Sequence, residues 1–194
     1  MKHLVIIGTG NIGQIVHWYA TLSKEYMVAW DIKCHIDNVA DYQIEPDDVF
    51  VCADVKPSDR LAHSNIIREK GGVFVNIIHP TANIAPTCSL GTGVVLGAFT
   101  TLSINTTIND DVIIQDHCNI GHDSIVEKGT HLYVGVKLCG RNNVGTESSV
   151  FTGSIVYPDV KVGKGCTIGA GSVVNRRVKD GYVVLGNPAK RLEL

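Results

Sequence analysis

The spacing of apolar residues changes once along this chain. From residue 84 onward, every sixth residue is Leu, Ile or Val, from Ile84, Leu90 and Leu96 through Ile168 and Val174, without a slip. A fixed six-residue period is the signature of a β-helix. The position four residues after each of these is mostly small: Cys88, Thr100, Thr106, Ser124, Thr130 and Ser148 are examples. Each hexapeptide therefore predicts one short strand and one corner, and three of them make a triangular coil. The large aliphatic fills the prism and the small residue lets the corner close, giving about five stacked coils. Because the phase holds from 84 to 177, no long loop leaves the prism, and a site must be built on its surface.

Before residue 77 the pattern is that of alternating strands and helices. A continuous apolar run predicts a buried strand over 2–7. Ile12, Ile15, Val16, Tyr19 and Leu22 recur at helical spacing, which predicts a helix over 11–23. Short strands are predicted at 27–31, 49–53 and 73–77. A helix is predicted over 58–70, between Pro57-Ser58-Asp59 and Gly71-Gly72. The stretch 32–48 has no assignable pattern. Strand–helix alternation implies a small parallel sheet. The expected organisation is 1–77 as an α/β unit, 78–83 as a junction, 84–178 as the β-helix and 179–194 as a tail.

Composition agrees with this division. Val (25) and Ile (20) outnumber Leu (11), and aromatic residues are only 6%, as a strand-rich chain with a narrow prism requires. The formal net charge of -2 leaves no basic stripe for nucleic acid. No apolar run reaches the roughly 20 residues of a membrane span, and the start is too short for a signal segment, so a cytoplasmic protein is expected. The six Cys form no CxxC pair, and Cys88, Cys118 and Cys166 occupy small inward positions. Reduced thiols are therefore expected.

Gly8, Gly10 and Gly13 form a GxGxxG between the first strand and first helix. Backbone amides in such a loop, with Asn11 opening the helix, can hold a phosphate. Asp31, at the end of the expected second strand, would bind a ribose or a base. Alone the motif reads as dinucleotide binding. With only about four strands and no second half, a mononucleotide-sized ligand fits better.

The hexapeptides, together with Gly186-Asn187-Pro188-Ala189-Lys190, resemble the left-handed β-helix of the hexapeptide-repeat acyltransferases. With the N-terminal unit added, the chain resembles the bacterial nucleotide-amino-sugar N-acetyltransferases and sialic-acid O-acetyltransferases, the UDP-4-amino-sugar type above all. Val75 to Ala82 resembles that family's junction. Gly121-His122-Asp123, His131, Gly135 and Gly140 resemble its active-site coil. The resemblance implies a Rossmann-like βαβ domain ahead of the left-handed parallel β-helix, acetyl-CoA as co-substrate, no metal, and a homotrimer with the acetyl-CoA groove between neighbours.

Acyl transfer from a thioester needs a base for the nucleophile, a donor for the developing oxyanion and a groove for the carrier. The resemblance makes His122 the general base and Asp123 its acidic neighbour. An adjacent carboxylate favours the imidazolium or fixes its tautomer. On the residues alone, His122 reads first as a solvated surface histidine. The resemblance also puts His131 at the acetyl-CoA site and faces the Gly140 N–H to the thioester carbonyl. Thr152 and Ala170 would follow the pantetheine arm. Lys190, with Arg191, Arg176 or Arg177, would meet the CoA phosphates. Gln115 stands where the bacillosamine-type enzymes tend to have Asn facing the sugar, and Ile12 where the family often has His. These two departures leave the sugar open.

Two other classes compete. The His117/His122 spacing matches γ-carbonic anhydrases, but the third zinc ligand, expected 36 residues before His117, is Thr81. A non-catalytic nucleotide-sugar sensor would have no need to keep His122 and Gly140. An O-acetyltransferase remains the nearest alternative, since a His base serves a hydroxyl as well as an amine.

Overall fold

The computed structural model describes residues 2–22 and 30–193. Strand β1 (His3–Ile7) is the centre of a small parallel sheet. It is flanked by β2 (Asp31–Ile36) and β3 (Asp48–Cys52), with β4 (Val73–Phe74) beyond β3. Helix α1 (Asn11–Leu22) packs Val16, Tyr19 and Ala20 onto Leu4, Ile6, Val49 and Val51 on one face. Helix α2 (Pro57–Glu69) packs Ile67 against Val5, Ile7 and Phe50 on the other.

One expectation is corrected here. Residues 27–29 of the expected second strand lie outside the described residues, and β2 occupies the stretch that had no assignable pattern. The β1/β2 register slips between Leu4/Val5, so Ile32 joins one core and Cys34 and Ile36 the other. A β-bulge at Lys33 breaks the two-residue alternation by which a strand is recognised. Asp31 consequently opens β2 rather than closing it.

The rest of the chain is a left-handed β-helix of three parallel sheets. Its strands are two residues long, and the second residue of each points inward. Leu96, Leu102, Ile108, Ile114, Ile120 and Val126 are at most 1% exposed. Strands begin one coil-face earlier than the sixfold pattern, with β5 (Ile77–Ile78) pairing Val95–Leu96. They continue to Val183–Leu185, onto which Lys190–Arg191 folds antiparallel. The prism thus has about six turns, where five were expected.

The corners follow a rule of their own. Every sixth residue from Gly93 to Gly171 has φ between 50 and 74°. The position is filled mostly by Gly, Asp or Asn, the types that tolerate this left-handed region. The inward small residues do more than leave room. Thr130 Oγ1 donates to the Gly145 carbonyl at 3.1 Å, and Ser148 Oγ to Gly163 at 2.8 Å. Thiols do the same: Cys118 Sγ reaches the Tyr133 carbonyl at 3.1 Å. All six Cys are free, and burial pushes the Cys118 thiol up to about 12.

The sheet and prism are joined on both faces. Helix α1 lies between them, sharing a core with the outward Ile77, Val95 and Ile113. Helix α2 joins through polar groups. Arg68 forms a two-pronged pair with Asp111 at 2.6 and 3.0 Å, and Ser64 Oγ donates to the same carboxylate at 3.0 Å. Fully buried Arg60 donates from Nε to the Asp111 carbonyl (2.8 Å) and from Nη2 to Gly129 (2.5 Å), and also bonds the Asp54 carbonyl. Burial lowers its guanidinium to about 10, so it keeps its charge at neutral pH. Burial also raises the Asp111 carboxyl, against the opposing pull of Arg68. Asp111→Ala strands Arg68 and Ser64 and should lower the unfolding free energy by about 3 kcal/mol. Urea denaturation reads this, and an unchanged midpoint would show that the cluster does not hold α2.

Candidate active site

His122 precedes the left-handed corner residue Asp123 (φ 55°). On a flat strand the two side chains would point to opposite faces. The corner instead turns them together, and His122 Nδ1–H donates to Asp123 Oδ2 at 2.6 Å. Asn105, 18 residues earlier on the same edge, donates to Asp123 Oδ1 at 3.0 Å. These two bonds, His122 first, hold the Asp123 carboxyl below its ordinary range. With Nδ1 committed, the free lone pair is on Nε2.

Gly140 stacks on His122, one coil further on. A Cβ there would lie 3.1 Å from His122 Nε2, and φ is +122°. The missing side chain leaves an open seat over the imidazole nitrogen. The Gly140 N–H, expected to face a thioester, is already used: it donates inward to Asn142 Oδ1 at 3.1 Å.

Other expected residues are placed differently. His131 is completely buried: the Tyr133 ring stacks on it with centroids 4.0 Å apart, and Val55 and Arg60 lie beside it. Its Nδ1–H donates to the Val55 carbonyl at 3.1 Å, and its Nε2 has no partner. Desolvation, helped by Arg60, lowers its pKa to about 3. It therefore lines no open groove in a single chain. Thr152 and Ala170 are exposed but lie 12 and 30 residues beyond Gly140, which are not multiples of the 18-residue coil. They sit on the neighbouring edge, above Asp116 and Val134. Gln115 is on that side too, accepting the Val134 N–H at 3.2 Å. It lines a cavity of about 70 Å³ with Ile12, Ile15, Val95 and Val134. One whole face of the prism separates Gln115 from His122.

Lys190 lines a cavity of about 160 Å³ with Asn175, Arg176 and Ala189, while Arg177 faces Lys161 and Lys164 elsewhere. Arg191 lies over the Tyr182 ring at 4.1 Å. His117 stacks on Phe99, at a different corner from His122. Among the described residues no three His, Cys, Asp or Glu side chains gather around a point. No helix there is long and apolar enough to cross a membrane.

At the glycine loop, Gly8 has φ +111°, and a Cβ on Gly13 would overlap the Gly8 carbonyl. A side chain on Gly10 would meet nothing, so the start of α1 beside Asn11 is open. Asp31 is at the far end of β2 from this loop. The carboxylate that does reach it is Asp37, just past the end of β2, which accepts from Thr9 N–H (2.9 Å) and Thr9 Oγ1 (2.6 Å). Sequence reading missed Asp37 because the bulge hid where β2 ends.

Comparison with known proteins bears on this geometry. No family model matches the chain. GlmU of Synechococcus is 28% identical over 154 residues, 74% of this chain and 33% of that protein. A Bacillus pumilus serine acetyltransferase is 36% identical over 81 residues, 41% of this chain and 37% of that protein. The chain spans 33 to 49% of the length of such curated relatives. Among solved structures, the acetyltransferase domain of PglB from Neisseria gonorrhoeae superposes with a TM-score of 0.90. It is 25% identical, with 99% of this chain and 100% of that one covered. In sequence and fold the chain is similar to hexapeptide-repeat acyltransferases. Another structure of the PglB domain holds acetyl coenzyme A (TM-score 0.88, 25% identity, 98% and 99% covered). PerB from Caulobacter crescentus, with CoA and GDP-perosamine bound, is 25% identical at a TM-score of 0.89, covering 100% and 98%.

Two outcomes are expected. Unfolded histidine takes a proton below about 6.5 and folded His131 only near 3, so the unfolded state binds more protons between these values. Stability is therefore full above pH 6.5 and falls on acidification, by up to about 1.4 kcal/mol per pH unit for this group. Thermal melts from pH 7 to 5 should show a steeper decline for the natural chain than for His131→Phe. Gly140→Ala should displace the His122 ring and lower acetyl transfer about a hundredfold while the fold survives by circular dichroism. Undiminished transfer would mean the seat over Nε2 is not used.

Proposed function

We propose that this protein transfers the acetyl group of acetyl-CoA to the amine of a nucleotide-linked amino sugar, in the UDP-4-amino-sugar manner. The observation that carries this is the His122–Asp123 pair, with Nε2 open beneath Gly140. Similarity to proteins holding acetyl-CoA, and to PerB holding CoA and GDP-perosamine, supports the donor and acceptor classes.

In this reading Asp123 fixes the His122 tautomer and favours the imidazolium that forms during the reaction. The acceptor amine attacks the thioester carbon, and Nε2 removes its proton. The C–N bond forms, the C–S bond breaks, and His122 returns the proton to the departing CoA thiolate. Basic Lys190 and Arg176 suit the CoA phosphates. The sheet works as a Rossmann-like nucleotide-sugar unit. The open start of α1 at Gly10 and Asn11 suits a phosphate, and Asp37 takes the role expected of Asp31 at a ribose or base.

The assembly is a homotrimer in which the His122 edge of one subunit meets the Gln115 edge of the next. Two observations favour this. Gln115, Thr152 and Ala170 lie a full face away from His122 in one chain. Exposed apolar side chains also flank both edges: Phe99, Val134 and Trp18 near one, Ile104 and Tyr157 near the other. A hydroxyl acceptor is the second reading, favoured by 32% identity over 99 residues to a galactoside O-acetyltransferase of Lactococcus lactis.

Mass spectrometry of products from a panel of UDP- and GDP-amino sugars with acetyl-CoA tests the chemistry. N-acetylated product is expected, and transfer to hydroxyls alone would overturn the amine reading. His122→Ala should lower kcat/KM by about 10²–10⁴-fold, with Asp123→Asn falling less; full activity in the alanine variant would show the wrong base. Light scattering should give three times the 20.9 kDa chain mass, and an active monomer would exclude the shared site.

A further inference from the structure

Asn142 is out of place in the inward small position of its coil. The other residues there are Cys, Val, Thr and Ser, and Asn142 is 2% exposed with every side-chain polar atom engaged. Its Nδ2 donates to the Tyr157 carbonyl at 2.7 Å and the Val160 carbonyl at 3.0 Å, tying it to the next corner. Its Oδ1 accepts the Gly140 N–H.

Equivalent amides elsewhere on the prism point outward. Thr92 N–H donates to Asp110 Oδ1 at 2.9 Å, and Ala98 N–H to Asp116 Oδ1 at 2.7 Å, both carboxylates one coil further along the outer surface. Only a rotated peptide brings this amide inward, and Gly140 carries the φ of +122° that such a rotation needs. The rotated corner lies against His122 Nε2, where a thioester carbonyl must sit for an attacking amine to give up its proton.

We propose that Asn142 is a positioning residue that withholds the Gly140 N–H from the acyl donor. In the resting chain Asn142 Oδ1 is the acceptor of that N–H. On donor binding, the 139–140 peptide turns, and the thioester oxygen replaces Asn142 Oδ1 as the acceptor. The oxyanion donor is then assembled only when the donor is seated. This rests on the acyl-transfer reading above.

The test uses Asn142→Val and Asn142→Ser, residues the repeat itself carries at this position in other coils, so that at least one folded variant is available. Hydrogen exchange of the 139–142 segment, without ligand, reads the clamp directly. Exchange of the Gly140 amide should quicken about tenfold or more in both variants, as expected when a buried amide loses its acceptor. With the donor freed in advance, kcat/KM for acetyl-CoA should rise about threefold to tenfold, the worth of one neutral hydrogen bond, with KM for the nucleotide sugar unchanged. Unchanged exchange in folded variants overturns the clamp. Quickened exchange with unchanged or lower kcat/KM overturns the positioning role and leaves Asn142 structural. If the natural chain itself transfers acetyl to nothing in the panel, the acyl-transfer reading fails and the donor half of the proposal with it, while exchange still judges the clamp separately.

Discussion

A left-handed corner at every sixth residue is the constraint on which this molecule depends. Three such corners return the chain to its starting point after 18 residues, so each side chain sits above the one 18 places earlier. The aliphatic column, the ladder of inward hydroxyls and thiols, and the backbone pairing all follow from that registration. So does the His122–Asp123 pair. Two consecutive residues can hydrogen-bond side chain to side chain here because Asp123 occupies the corner and the backbone reverses beneath it.

The same registration decides how the N-terminal sheet is held. Its apolar contact uses the outward column Ile77, Val95 and Ile113, a stripe that would otherwise be exposed on the prism. Its polar contact uses Asp111, itself a corner residue, whose carboxylate is buried and met by Arg68 and Ser64 of α2. A buried charge pair of this kind contributes less net stability than orientation, because both ions lose their water on burial. His131, in the same outward column as Ile113, is covered as a consequence. Its unpaired Nε2 and lowered basicity mark the cost of fitting a polar ring beneath Val55 and Arg60.

The candidate chemistry occupies edges rather than a cleft. His122 and Gly140 share one edge. Gln115, Thr152 and Ala170 belong to another, and the glycine loop with Asp37 lies at the ends of the sheet strands. A prism has no interior room for substrate, since the aliphatic column fills it, so reacting groups have to meet across an outer surface. Asn142 is the place where the interior reaches out to that surface. A side chain in the core takes hold of an amide beside the imidazole, and the regular repeat gives way to a single rotated peptide.

The sixfold apolar period pointed to the β-helix, because a fixed hexapeptide period is the signature of that fold, and the alternating pattern before it pointed to the small parallel sheet. His122, Asp123 and Gly140 were legible as a group through their family resemblance. What remained hidden depended on groups distant in sequence. The bulge at Lys33 moved β2, leaving Asp31 far from the glycine loop and bringing Asp37 to it. The carbonyl that holds His131 Nδ1 and the charge that lowers its basicity come from Val55 and Arg60, more than seventy residues away. The edge on which Thr152 and Ala170 fall follows from the 18-residue coil, not from their nearness to Gly140 in the chain. The direction of the Gly140 N–H was decided only by tertiary structure, because a peptide can face either way until a specific acceptor, here Asn142 Oδ1, is brought within hydrogen-bonding distance.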